Sequence, residues 1–427
     1  MRKVILSALI LGATMSYAQN YTSYFTGNTS DVSTIPQGGI CLMGGATEED
    51  EAIKWFLNRA DGGDVLVLRA SGSDGYNDYF YNQLGVTVNS VETIVFNDAS
   101  ASNEAYIQQK ISQAEAIWFA GGDQWDYHSY WYNTPIQTEI NQAIANGAVV
   151  GGTSAGMAIL GGFRFTAENG TVTSATALSN PYDANVTLNW APFIVTQNAL
   201  EYTITDTHYD NPDRKGRHMV FMARSLDFTN MDVKGIACDE YTAVCIDENS
   251  LARVFGQYPT YDDNAYFLQI NCELSNPYPE VISSVPLTWD HNGMAVKAYA
   301  VKGTLAGTNT FDLSDWMTGS GGEWQDWSVD NGVFMEAPGS APDCNASLEE
   351  TETQIDILPN PAQDFIEIKT DANSYSVSIF DLRGNVVLED KNNPLRMNLL
   401  SLSEGTYWAQ TNFEDGRTAR RMFVVLR

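Results

Sequence analysis

Five short apolar runs, each closed by glycine or a polar turn and separated from the next by a helical or loop pattern, constrain this chain more than any other feature. They are Ile40 to Met43, Asp64 to Leu68, Val91 to Phe96, Ala116 to Ala120 and Ala148 to Gly152. Strands without a polar face belong in a parallel sheet covered on both sides, and segments such as Glu48 to Ala60 and Ile136 to Ala145 supply the covering helices. The expected fold class is therefore α/β, a three-layer α/β/α domain around a parallel sheet. Ligands bind such sheets beyond the carboxyl ends of the strands, where Gly44-Gly45, Gly121-Gly122 and Ser154 fall.

The fifth run feeds Gly152-Thr153-Ser154-Ala155-Gly156 and then small and apolar helix formers, so Ser154 sits at a strand-to-helix corner. That is the geometry of a nucleophile elbow, in which a Cβ at Gly152 or Gly156 would crowd neighbouring backbone. The same pentapeptide also serves as a plain glycine-rich turn in other α/β domains, so its partners decide. A serine nucleophile needs a base within hydrogen-bond reach and donors for the oxyanion. Of four histidines, His208 follows the strand-like Glu201 to Thr205 and is expected in the same sheet, over the same crevice as Ser154. His128, after Gly121-Gly122, ranks second; His218 lies in an apolar helix, and His291 in a section without motifs. The N–H groups of Gly45 and Ala155 are the expected oxyanion donors. Asp123 and Gln124 either orient substrate or cap the helix that follows. Arg214 and Arg217 share the first turn of a helix for which Asp213 is the expected N-cap. Cations are unfavourable at that positive end, which points to a substrate carboxylate; pairing with Asp210 and Asp213 is the alternative.

Length and charge set the remaining bounds. The 427 residues leave room for a catalytic domain and a further module. Met1-Arg2-Lys3, an apolar run and Ser16-Tyr17-Ala18 read as a signal peptide over 1–18, too short for a membrane anchor. A net charge of −30 excludes a nucleic-acid partner, which would need a basic patch. Five cysteines lack C-x-x-C spacing, so no metal site is expected. Cys238 and Cys245 could face each other across a short hairpin, and Cys41 reads as a small buried apolar residue. Domain bounds are expected at 19–335 for the catalytic domain with a β-rich extension, 336–354 for an acidic linker, and 355–427 for a small β-sandwich.

Together, Gly-Thr-Ser-Ala-Gly at 152–156, Gly-Gly-Asp-Gln at 121–124 and Asp-Thr-His-Tyr at 206–209 resemble the cyanophycinase branch of the S51 serine peptidases. The resemblance covers roughly Gly38 to Cys272. It implies a class I glutamine amidotransferase-like fold, no metal or cofactor, Ser154 as nucleophile, His208 as base, and Gln124, Asp206, Arg214 and Arg217 in the substrate pocket. The implied reaction is hydrolysis of aspartyl or isoaspartyl (β-Asp-Arg-like) bonds in a peptide or cyanophycin-like substrate. An α-aspartyl dipeptidase and a catalytically inactive surface-binding protein on the same fold are the alternatives, and an α/β-hydrolase-type esterase a more distant one. Cyanophycinases carry arginine four residues after the histidine, where this chain has Pro212, and the acid is matched only by Glu168 or Asp183. The last module, through Leu358 to Ala362, Ile379 to Val386 and Leu402 to Tyr407, resembles the sorting domain of type IX secretion cargo of Bacteroidetes. That implies the type IX machinery as a partner and export through the periplasm to the cell surface or medium. Assembly is left open, a homodimer being one option.

Overall fold

A computed structural model describes residues 20–196, 200–344, 355–370, 375–382, 384–413 and 418–427. The segments expected as a signal peptide and as the acidic part of a linker, together with Arg383 and the expected Asp415-Gly416 turn, lie outside the described residues. Among the described residues no helix is long and apolar enough to cross a membrane.

The N-terminal domain is built on a ten-stranded sheet that begins β1 (Tyr21–Gly27), β2 (Ile40–Met43), β3 (Asp64–Arg69), β4 (Ser90–Phe96), β5 (Ala116–Phe119) and β6 (Val149–Thr153). Its spatial order is β1-β4-β3-β5-β6-β2, after which four short strands from Ala243 to Ser320 extend the edge. Strands β2 to β6 are mutually parallel, as the five apolar runs predict. Alternation along each strand divides the core in two. Ile40, Leu42, Leu66, Leu68 and Ile117 face the helices Ala105–Gln113 and Pro135–Ala145. Cys41, Met43, Val65, Val67 and Trp118 face the helix Asp50–Asn58 and Phe80. Both sides of the sheet are therefore dry, the three-layer arrangement that continuous apolar strands require.

One expectation about the sheet is corrected. The strand leading to His208, Thr203–Asp206, does not join the sheet of Ser154 but forms the edge of a second, six-stranded sheet. It pairs in parallel with Lys234–Cys238, which in turn pairs antiparallel with Asn264–Ile270. The two sheets meet at the crevice, where His208 N–H donates to Gly44 O at 2.9 Å and closes the seam between them. The section from Tyr278 to Gly332, which carries no motif, completes both sheets through Val296–Lys302, Asn309–Asp312 and Gly322–Asp330.

The cysteines also depart from expectation. Cys272 and Cys344 form the disulfide, while Cys41, Cys238 and Cys245 are free and buried. Cys245 lies on the neighbour strand of β2, paired directly with Cys41, so its side chain points to the helix layer and away from Cys238. The disulfide ties the end of the β-rich extension back to the second sheet. Beyond it, a three-stranded and a four-stranded sheet enclose their own apolar core, including Ile357, Ile366, Val377, Ala409 and Phe423.

Candidate active site

Ser154 occupies a backbone position of φ 53° and ψ −118°, between β6 and the short helix Ala155–Ala158. A non-glycine residue pays for such a conformation only where the surroundings enforce it, and here they do. Ser154 N–H donates to Met43 O at 3.0 Å, and Ala158 N–H returns to Ser154 O at 2.9 Å. A Cβ on Gly152 would stand 2.5 Å from the Gly156 carbonyl carbon, and one on Gly156 would stand 2.0 Å from Phe119 O. Both glycines are therefore required by close approach, as the elbow reading anticipates.

His208 is likewise at positive φ, 46°, two residues beyond its strand. Its Nε2 is 2.8 Å from Ser154 Oγ, and its Nδ1 is 2.6 Å from Glu240 Oε1. Gly45, at φ 122°, fits beneath the imidazole, because a Cβ there would lie 2.4 Å from Cε1 and Nε2. Glu240 is held in turn: Asp210 Oδ1 accepts its N–H at 3.0 Å and the Asn211 amide donates to its Oε2 at 3.4 Å. The hydrogen bond from His208 keeps the Glu240 carboxyl below the usual carboxylate range. Serine, histidine and carboxylate thus stand in one line of hydrogen bonds across the seam between the two sheets. With Nδ1 facing a carboxylate, the neutral imidazole carries its proton on Nδ1 and leaves Nε2 free to accept from Ser154.

A family model described as peptidase family S51 matches residues 41–254, half of the chain. The chain belongs to peptidase family S51. Cyanophycinases from Synechococcus elongatus and Thermosynechococcus vestitus are each 24% identical to this S51 peptidase over 233 residues, covering 52% of it and 66% of their own length. A crystal structure of a peptidase from an acI-B1 actinobacterium aligns with a TM-score of 0.40 at 14% identity, over 54% of this chain and 91% of that one. Residues 356–425 match the secretion system C-terminal sorting domain, which directs the chain by the type IX route to the cell surface or medium.

In this S51 peptidase the carboxylate partner of His208 is Glu240, and neither Glu168 nor Asp183 takes that place. Glu168 is exposed, its N–H bonded to Thr187, and Asp183 caps its own turn through Asn185. The available signal was an Asp-Glu pair directly after Lys234–Cys238, the strand parallel to the one that carries the histidine. His128 is excluded as the base: it is buried against Tyr132, and burial, reinforced by the charge of Arg164, pushes its pKa down to about 3. His218 is sealed in the core between Tyr209 and Ile204 O, and burial lowers its pKa to about 4.

The pocket residues divide. Asp206 and Arg217 are committed to each other in a buried pair, with Arg217 Nε 2.8 Å from Asp206 Oδ2 and further bonds to Thr171 and Val172 O. Neither is placed for direct contact with a substrate, because each satisfies the other's charge where water is absent. Arg214 is half-buried and gives one guanidinium nitrogen to Thr207 O at 2.9 Å, beside the triad loop. The helix begins at Lys215 with Arg214 itself at the N-cap; Asp213 accepts the Lys215 N–H at 3.1 Å from one residue further out. Asp123 caps the helix Gln124–Trp131 through the Trp125 N–H, and the Gln124 amide reaches toward Phe165 O at 3.5 Å. A Cβ on the neighbouring Gly121 would lie 3.7 Å from Ser154 Cβ, which puts this loop at the nucleophile.

Proposed function

We propose that this protein is an exported serine peptidase that hydrolyses aspartyl or isoaspartyl peptide bonds, of the β-Asp-Arg type, through an acyl-enzyme. The observation that carries the reading is the unbroken line from Ser154 Oγ through His208 to Glu240, at 2.8 and 2.6 Å. His208 Nε2 takes the Ser154 proton as Oγ attacks the carbonyl carbon, and Glu240 stabilises the imidazolium that forms. The oxyanion is received by backbone N–H groups. Ala155 is the first residue of its helix, so its N–H has no acceptor within the helix, and Gly45 supplies the second donor from the facing loop. The imidazolium then protonates the leaving amine, and water activated by His208 releases the acyl group.

Substrate preference follows from charge near the nucleophile. Arg214 donates to the triad loop at Thr207 O and lies outside the buried Asp206–Arg217 pair, and in this reading it recognises the free carboxylate of an aspartyl residue. The likeness to cyanophycinases supports the same class. The test is incubation of the purified protein with cyanophycin, β-Asp-Arg and α-Asp dipeptides, with products read by mass spectrometry. Cleavage adjoining aspartate in at least one of them is expected. Absence of turnover on all three, while a serine-directed probe still labels Ser154, would refute the aspartyl preference and leave the nucleophile standing.

A further inference from the structure

The sorting module has two outer faces, and they differ in chemistry. Across its four-stranded sheet, Phe380, Trp408 and Met422 form one cross-strand row, and Ser378, Gln410 and Arg420 form the next. An outward tryptophan on a small β-sandwich is expected to be open to water, yet Trp408 is only 1% exposed. Its cover is the peptidase domain. Trp408 meets the Phe228 ring edge-on at 6.3 Å, and Phe228 stacks on Trp190 at 4.1 Å. Arg420 donates to Asp227 O at 2.8 Å and Asn230 to Thr418 O at 3.5 Å, both at the end of the helix Lys215–Thr229. The other outer face is laced with charge and open to solvent. On the three-stranded sheet Leu358, Glu367 and Arg396 are paired in one row and Asp356 with Lys369 in another, all of them exposed.

We propose that the type IX machinery reads the sorting module on its three-stranded sheet, around the Leu358–Glu367–Arg396 row, because the chain's own peptidase domain occupies the four-stranded face. The recognition surface is mixed in charge, with Leu358 as an apolar anchor, and calls for a partner of complementary charge around an apolar contact. Docking requires a folded peptidase domain when the module is read. The Cys272–Cys344 disulfide fits that order, since an oxidising compartment precedes the last membrane.

The test compares export of full-length variants from a cell with a type IX system. The double change Glu367→Lys with Arg396→Glu, and separately Lys369→Glu, should reduce the exported fraction by about tenfold or more, with peptidase turnover unchanged in protein purified from inside the cell. Arg420→Glu should undock the module, seen as roughly tenfold faster amide exchange over residues 226–230, with export within about twofold of wild type. Normal export of the Glu367/Arg396 and Lys369 variants would overturn the proposal, and so would retention of Arg420→Glu. A double variant that loses amide protection inside its own module is set aside, and Lys369→Glu then decides alone.

Discussion

Replacing Glu240 by Gln keeps a side-chain oxygen at His208 but removes the negative charge from a 2.6 Å contact. In the transition state His208 is an imidazolium, and its charge centre lies roughly 4 Å from that of the carboxylate. At an effective dielectric of about 20 the attraction is worth about 4 kcal/mol. The side chains are 24% and 17% exposed, so solvent screens part of it and about 2–4 kcal/mol is the expected loss. That corresponds to a fall in kcat of roughly 30- to 1,000-fold. Because the glutamine amide can also donate to Nδ1, the wrong tautomer pushes the effect toward the upper end. Initial rates on an aspartyl dipeptide at saturating and limiting concentrations separate the effects: kcat should fall while KM stays within about threefold. A Glu240→Gln enzyme with wild-type kcat would refute the assignment of Glu240 and the relay with it.

Five further outcomes follow from named contacts. Gly45→Ala places a methyl where the imidazole lies and should lower kcat by about a hundredfold or more, with circular dichroism unchanged. Arg217→Met strands the buried Asp206 carboxylate and should cost about 3–5 kcal/mol in denaturant unfolding. In the wild type, burial raises the Asp206 pKa but the charge and hydrogen bonds of Arg217 outweigh it, leaving it below the ordinary 3.8; this stabilisation is present above about pH 4 and is lost as pH falls through the lowered value, so stability should decline at acid pH. Asp239 behaves oppositely: burial pushes it up to about 7, so what it lends the fold is complete below about pH 4 and lost as pH rises through 7, and Asp239→Asn should raise stability at pH 8 relative to pH 5 by on the order of 2 kcal/mol. Cys344→Ser opens a disulfide spanning 72 residues and should cost about 2–4 kcal/mol in chemical unfolding.

The parallel sheet was legible in the sequence because its strands are buried on both faces, and continuous apolar runs are the direct trace of that environment. The elbow was legible for a related reason: Gly152 and Gly156 are forced by backbone contacts at 2.5 and 2.0 Å, and only glycine records such contacts in a sequence. His208 could be chosen as the base, but not the sheet that delivers it. Which of two sheets an edge strand joins depends on Gly44 O and on the strand Lys234–Cys238, both distant in sequence. Glu240 was missed for the same cause, since 32 residues separate it from His208 and no local pattern links them. Arg214 and Arg217 look equivalent in the sequence, three apart on one helix. Burial distinguishes them, leaving Arg217 as a structural partner of Asp206 and Arg214 beside the crevice. The cysteine pairing followed neither spacing nor hairpin logic, because β2 and its antiparallel neighbour turn Cys41 and Cys245 into the same apolar layer.

Ser154 is the proposed nucleophile of this S51 peptidase. Its most direct test is the rate of aspartyl-peptide hydrolysis by purified Ser154→Ala beside wild type, with thermal melting as the control for folding. Turnover by the variant should drop to the uncatalysed background, at least about a thousandfold below wild type, with its melting temperature unchanged. Hydrolysis by Ser154→Ala at the wild-type rate would contradict that role for Ser154.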